Sequence, residues 1–250
     1  MKVKVLQDSR ELGKAAAALA AETLNRAIAR NGKARLVLST GASQFDTLKS
    51  LVLQDVAWSK VEMFHLDEYV NLPADHPASF RKYLKERFTD LVPLGSSHFV
   101  NAEGDVARCI ADLTAAIRRE PIDLALVGIG ENAHIAFNDP PADFQNQAAY
   151  IVVDLDDNCK KQQVGEGWFD SVAAVPRQAV SMSVHQIMLS KTIISAVPHR
   201  VKANAIQLTL ENEVTPLIPA TILKQHPDTH IFLDQESASL AGPELLSRYQ

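Results

Sequence analysis

Residues 123–141, DLALVGIGENAHIAFNDPP, bring a histidine and a carboxylate together within one short, proline-terminated stretch. An apolar run at 123–127 enters a turn at Gly128-Ile129-Gly130, and His134 and Asp139 follow. An imidazole passes protons near neutral pH, and a carboxylate beside it can orient the ring and favour its protonated form. Ligands of open α/β sheets sit in the crevice past the strand ends, where this pair would stand. A structural histidine capped by a neighbouring acid would look the same. Gly128-x-Gly130-x-x-Ala133 also matches a dinucleotide fingerprint by letter, with Asp154 at a tolerable distance for a ribose acid. That fingerprint needs a helix directly after its glycines, whereas this chain reaches Asn138-Asp139-Pro140-Pro141. The better account is a glycine turn that brings backbone close to a small substrate, with His134 as acid and base.

Three further groups could share that site. Asp67-Glu68-Tyr69 closes the run VEMFHL. Adjacent strand residues face opposite ways, so one acid of the pair enters a common site. Asp67 is the candidate general base, because a desolvated carboxylate moves toward working pH. A solvated or capping pair is the bland alternative, and His65 reads equally as a satisfied strand histidine. Ser39-Thr40-Gly41-Ala42-Ser43 lies between an expected strand and its helix. Gly41 permits a tight turn, while Thr40, Ala42 and Ser43 offer hydroxyls and free N–H groups to an anion. It lacks the GK[ST] ending of a Walker loop. Lys202 follows another expected strand, with Lys191, His199 and Arg200 nearby, and a lysine at a helix start can hold phosphate.

The elements that must position these groups alternate along the chain. Strands are expected at 2–6, 34–39, 61–66, 123–127, 151–155, 180–184, 192–197 and 230–233. Helices are expected from Ser9, as cap, to 30, and at 44–53, 79–91, 105–119, 201–211 and 220–225. Such alternation predicts an α/β fold with a mostly parallel sheet covered on both faces. No repeat or linker divides residues 1–250, so one domain is expected.

Composition narrows the function classes. At 250 residues, 46% hydrophobic and 22% charged, the chain has the makeup of a globular enzyme. A formal charge of −5 gives no general reason to bind nucleic acid or anionic membrane. The N-terminus lacks an apolar signal region and no run approaches spanning length, so a cytoplasmic protein is expected. The two cysteines, Cys109 and Cys159, fit no zinc or redox spacing, and no metal is expected.

Taken in order, these sites resemble the glucosamine-6-phosphate deaminase/isomerase family, related to the 6-phosphogluconolactonases. The likeness covers nearly the whole chain. LDEYVNLPADHPASF at 66–80 is similar to the family block MDEYVGLP…HP.S[YF], and GIGENAHIAFNDPP at 128–141 to G.G.DGHIAFNEP. LSTGAS, VPHRVKANAI and IPATILKQHPDTHIFLD add to it. The resemblance implies a three-layer α/β/α, Rossmann-like fold and conversion of glucosamine 6-phosphate to fructose 6-phosphate and ammonia without a cofactor. It places the base at Asp67, the ring-opening histidine at His134 and the phosphate loop at Thr40–Ser43. Lys202 falls on the phosphate-contacting lysine.

The sequence departs from the family at three places. Asn132 stands where most deaminases carry aspartate, and supplies no negative charge to the imidazole. Asp139 replaces a glutamate, shorter by a methylene. The family arginine that grips phosphate has no counterpart: the matching stretch is 166–169, with Lys160 or Lys161 as substitutes. Basic residues of the family's allosteric phosphate site are also missing from PADFQNQAAY, so no strong activation by N-acetylglucosamine 6-phosphate is expected. Asparagine at 132 leaves galactosamine 6-phosphate open as substrate. Tyr69 stands where the lactonase branch has arginine, which favours the deaminase. A non-catalytic sugar-phosphate sensor is the third alternative; repressor-type sensors carry a DNA-binding module ahead of the domain, and a first strand at Lys2 leaves no room for one. Nothing in the sequence decides whether copies assemble into a homo-oligomer.

Overall fold

The computed structural model describes residues 1–249. In chain order its strands and helices are β1 (Lys2–Leu6), α1 (Ser9–Asn31), β2 (Ala34–Leu38), α2 (Phe45–Leu51), β3 (Val61–His65), β4 (Asp67–Tyr69), α3 (Phe80–Leu84), β5 (Ser96–His98) and α4 (Val106–Ile117). There follow β6 (Leu124–Leu126), β7 (Tyr150–Asp154), α5 (Asp157–Gly165), β8 (Gln178–Met182), α6 (Val184–Met188), β9 (Thr192–Val197), α7 (Ala203–Glu211), β10 (Thr229–Asp234) and α8 (Pro243–Ser247). Seven strands form one sheet in the order β1-β10-β9-β6-β2-β3-β5, with every pairing parallel.

Strand periodicity explains the layers. Leu36 and Leu38 of β2 face Leu12, Ala16 and Leu24 of α1, while Val37 between them faces Leu113 and Ile117 of α4. β6 repeats the pattern: Leu124 and Leu126 join the α1 side, and Ala125 joins the α4 side. Burial on both faces is why 36–38 and 124–126 are apolar at every position. The result is the three-layer α/β/α fold expected from the sequence.

Two expected strands belong elsewhere. β7 and β8 pair antiparallel with each other, and β8 pairs antiparallel with β4, giving a separate three-stranded sheet. An apolar strand pattern does not specify its partner, so the sequence reading put both into the parallel alternation. Helix starts also shift. Asp8, not Ser9, caps α1: its Oδ1 accepts from the Arg10 and Glu11 N–H groups, whereas Ser9 Oγ donates to Asp46 at 2.7 Å. The helix expected at 79–91 is α3, capped by Ser79, followed by a π-helical stretch at Lys85–Thr89. Short 3₁₀ turns at Ala42–Gln44 and Arg200–Lys202 precede α2 and α7, and 219–225 is 3₁₀ throughout.

The site is fixed by sheet order. From β2 the chain moves to β3 on one side, and from β6 to β9 on the other. The strand order therefore reverses between β2 and β6, which opens a crevice past their C-terminal ends. The loops leaving these two strands are Ser39–Ser43 and the turn beginning at Gly128. No helix among the described residues is long and apolar enough to cross a membrane.

Candidate active site

At the end of β2, Ser39 N–H donates to Leu126 O at 3.0 Å, tying the loop to β6. Gly41 has φ 100° and ψ 162°, a backbone state that side chains with a Cβ rarely adopt. Its carbonyl accepts from Tyr83 Oη at 2.9 Å, and Gln44 Nε2 donates to Ala196 O on β9. The loop is thus held from three sides, with Thr40, Ala42 and Ser43 lining a cavity of about 70 Å³. Ser39 lines it as well, and its buried hydroxyl has no partner among the described residues.

Asp67 follows β3 by one residue and begins β4, opposite Ser181. Its carboxyl borders the cavity but is only 6% exposed. Burial, with the Glu68 charge as a lesser cause, pushes its pKa up to about 8. Glu68 turns the other way and is fully enclosed. It accepts from Ser79 Oγ at 2.8 Å, from the Arg81 and Tyr69 N–H groups, and from Arg81 Nε at 3.3 Å. Neighbouring acids therefore divide: Asp67 faces the cavity, and Glu68 ties the 79–81 turn to β4. His65 is buried and pushed down to about 3 by burial and the nearby Arg81 charge. Its Nδ1 accepts from Val100 N–H at 3.4 Å while Nε2 has no partner among the described residues, so it is a neutral core histidine rather than a site residue.

After β6 the chain makes turns, not a helix, through Asn138, so the dinucleotide match is one of letters alone. Gly130 has a local reason: a Cβ there would fall inside the His134 ring. Gly128 and Gly130 both line the cavity beside that ring. Asp139 Oδ1 lies 3.0 Å from His134 Nδ1, off the N–H direction, so it acts on the ring as an adjacent charge. Asn132 bridges the pair. Its Nδ2 donates to Asp139 Oδ1 at 3.0 Å, and its Oδ1 accepts from the backbone N–H of His134 at 3.1 Å. Burial raises the Asp139 pKa, but the His134 ring and the Asn132 amide outweigh it and hold the carboxyl below its ordinary range. The asparagine thus fits a short acid at 139, where a second carboxylate would repel it.

Lys202 is 5% exposed and lines the cavity at the end of its 3₁₀ turn. Burial lowers its pKa, with the charges of Glu166 and Glu131 opposing. Its expected companions separate. His199 shares an outer cavity with it, but Lys191 stands at the opposite end of β9 and pairs with Asp123 at 2.7 Å. Arg200 is exposed and lines neither cavity. Asp154, the would-be ribose acid, accepts from Gln178 at the edge of the small sheet.

The wall that sequence reasoning missed comes from α5 and the turn after it. Gln162, Gln163 and Glu166 line the cavity opposite the phosphate-type loop. Tyr69 Oη donates to Gln163 Oε1 at 2.7 Å, and Tyr69 packs with Phe80, Phe137 and Phe169 in one aromatic cluster under α5. Glu166 belongs to the stretch 166–169, where the family pattern leads one to expect an arginine and this sequence has none. Its Oε1 accepts from Gln162 Nε2 at 2.8 Å and its Oε2 from Trp168 Nε1 at 3.0 Å. Of the proposed substitutes, Lys161 borders only the outer cavity of about 620 Å³, and Lys160 lies 4.0 Å from Asp157. Among the described residues no three His, Cys, Asp or Glu side chains gather as a metal-ligand set.

Chemically, the cavity offers one strongly raised carboxyl, one imidazole backed by an acid, one buried ammonium and a hydroxyl-rich loop. The model of the glucosamine-6-phosphate isomerases/6-phosphogluconolactonase family matches residues 7–232. A glucosamine-6-phosphate deaminase of Streptococcus sanguinis strain SK36 is 34% identical over 241 residues, 96% of this chain and 99% of that protein. One from Oenococcus oeni is 35% identical over 204 residues, covering 81% of this chain and 85% of that one. Among solved structures, a monomeric glucosamine-6-phosphate deaminase superposes with a TM-score of 0.87 at 28% identity, over 96% of this chain and all of that one. A 6-phosphogluconolactonase from Thermotoga maritima gives 0.77 at 18% identity over 93% and 99%, a likeness of fold. The chain belongs to the glucosamine-6-phosphate isomerase/6-phosphogluconolactonase family.

Proposed function

We propose that this enzyme converts glucosamine 6-phosphate and water to fructose 6-phosphate and ammonia. The observation that carries the reading is one cavity bordered by Asp67, His134, Lys202 and the Ser39–Ser43 loop. Relatives of matching length named glucosamine-6-phosphate deaminase support it.

The reaction needs two proton carriers. His134 takes the anomeric hydroxyl proton and gives it to the ring oxygen as the bond from that oxygen to C1 breaks. Asp67 as carboxylate then removes the C2 proton, and the freed pair forms the C1=C2 bond of an enolamine as O1 takes up a proton from solvent, which is given back when water adds at C2. Asp67 returns its proton to C1, leaving an iminium at C2. Water adds there, the carbinolamine collapses to the ketone, and ammonia leaves. A desolvated acid suits the middle steps, because an ionised carboxyl with a pKa near 8 is a stronger base than a solvated one. Lys202 and the backbone and hydroxyls of Thr40, Gly41, Ala42 and Ser43 hold the phosphate. Gly128 and Gly130 let the backbone and the His134 ring approach the sugar. No step calls on a cofactor.

The test is ammonia and fructose 6-phosphate formation from glucosamine 6-phosphate, with galactosamine 6-phosphate and 6-phosphogluconolactone beside it. Equimolar ammonia and fructose 6-phosphate from the first substrate is the expected result. Turnover of the galactosamine ester alone changes the epimer and keeps the chemistry. Acid release from the lactone alone, or binding without turnover, sinks the reading.

A further inference from the structure

Glu166 puts a carboxylate beside Lys202 and Ser43, two of the groups assigned above to the substrate phosphate. It lines the inner cavity together with Ser43 and Lys202, and the same three residues line the outer cavity, so it stands between the two beside the lysine. Gln162 and Trp168 each donate one hydrogen bond to it, which fixes it there as an acceptor. The charged and titratable groups facing it are Lys202 and His199 from the turn after β9, Glu131 from the loop after β6, and Lys161 of its own helix. Tyr69 and Tyr83 approach from β4 and α3, both held as neutral phenols by burial, and the exposed Arg87 of the π-helical stretch stacks on Tyr83 from outside the cavity. One buried ammonium thus meets two acids, too little positive charge to neutralise a phosphate dianion.

Resting on the proposed deaminase reading, we propose that Glu166 selects the protonation state of the substrate phosphate. Its carboxylate accepts a hydrogen bond from the P–OH of the monoanion while Lys202 pairs with the charged oxygens, and the dianion, which has no proton to donate, is repelled. A carboxylate that can only accept is the complement of a phosphate that can donate, and such charge-assisted O–H···O⁻ bonds are short and strong.

The test is calorimetric binding of fructose 6-phosphate at pH 5.5 and pH 8 to the wild type and to Glu166→Gln, with the 6-sulfate ester beside it. Fructose 6-phosphate carries no amino group, so the phosphate end is read alone, and the sulfate ester is an anion with no proton to give. The second ionisation of a phosphate monoester lies at about 6, so wild-type affinity is expected to fall by more than about tenfold from pH 5.5 to 8. In Glu166→Gln the fall shrinks to less than about threefold, and the variant binds more tightly than the wild type at pH 8. The wild type binds the sulfate ester poorly at both pH values, and the variant improves it. Asp67, His134 and His199 are present in both proteins, so the difference between the profiles isolates Glu166. Parallel profiles, equal binding of the two esters by the wild type at pH 5.5, or weaker binding by the variant at both pH values would overturn the proposal. Ammonia release with parallel profiles removes this inference and leaves the deaminase; the predicted profiles without ammonia release do the reverse.

Discussion

The cavity has two walls built in different ways. One is made by the C-terminal ends of β2, β3 and β6, whose strands are buried on both faces and locked by parallel pairing. It presents Asp67, His134 and the Ser39–Ser43 loop. The other is α5 and the turn after it, where only Cys159 and Gln163 of the helix are buried. It presents amides and Glu166, and joins the rest through the aromatic cluster around Tyr69 and the Tyr69–Gln163 bond. The first wall can hold a proton donor to a fraction of an ångström, which chemistry requires; the second is anchored by fewer buried residues. The contrast teaches a division of labour: changes on the sheet wall should cost turnover, and changes on the α5 wall should cost or gain affinity.

Asp67→Asn gives the largest expected effect. Removing the base should lower kcat by roughly 10²–10⁴-fold while sugar phosphate still binds. It should also stabilise the protein in a pH-dependent way. The folded Asp67 keeps its proton up to about pH 8, whereas the unfolded carboxyl loses it near the ordinary value. Between these limits the folded state binds more protons, so stability falls as pH rises. Asparagine escapes that penalty. Its Tm advantage should be near zero at pH 4 and reach roughly 5 °C or more at pH 8. The same raised carboxyl predicts a kcat, read at saturating substrate, that climbs with pH through a midpoint near 8. Normal turnover by the variant, or a Tm difference that ignores pH, breaks the assignment of the base to this wall.

His134→Gln should rank second. Slower ring opening lowers kcat by about 10²-fold with little change in KM. A tenfold rise in KM with kcat intact would move the histidine to the binding side of the comparison. Gly130→Ala sharpens the same point without touching a titratable group. The new Cβ has to expel the imidazole from its seat, so kcat should fall nearly as far as in His134→Gln. Overpacking should cost about 1–3 kcal/mol, read by denaturant unfolding. Full activity in this variant would show that the ring position seen here is not the working one.

How much of this the sequence carried follows the same division. The sheet wall was legible because its strands advertise themselves: β1 and β9 have the expected bounds, and the runs at 36–38 and 124–126 are apolar without a break. Asp67, His134 and Lys202 come from motifs at strand ends, and the cavity brings them together. β4 was invisible because DEY has no apolar alternation and exists by pairing with β8. α5 was invisible for a related reason: DNCKKQQVG has almost no apolar face, and it is held by an aromatic cluster distant in sequence. Glu166 had no signal beyond the absence of an arginine, since a glutamate two residues before a tryptophan says nothing of which cavity it faces. Lys191 went wrong through one-dimensional proximity, being only a strand's length from Lys202 but at the other end of β9.

The smallest expected effect tests the α5 wall at its weakest link. Gln162→Ala removes one of the two hydrogen bonds that hold Glu166 and leaves the Trp168 bond in place. A single partly exposed hydrogen bond contributes about 0.5–1.5 kcal/mol, so KM should move by no more than roughly tenfold. kcat should stay within about twofold, because neither Asp67 nor His134 bonds to Gln162, and its one bond to the loop carrying His134 is a long one, accepted from the Glu131 N–H at 3.4 Å. Steady-state kinetics on glucosamine 6-phosphate separates the two constants. A fall in kcat of tenfold or more at unchanged KM would mean that α5 positions the reacting atoms as well as the phosphate, and the two walls would then have to be treated as one catalytic unit.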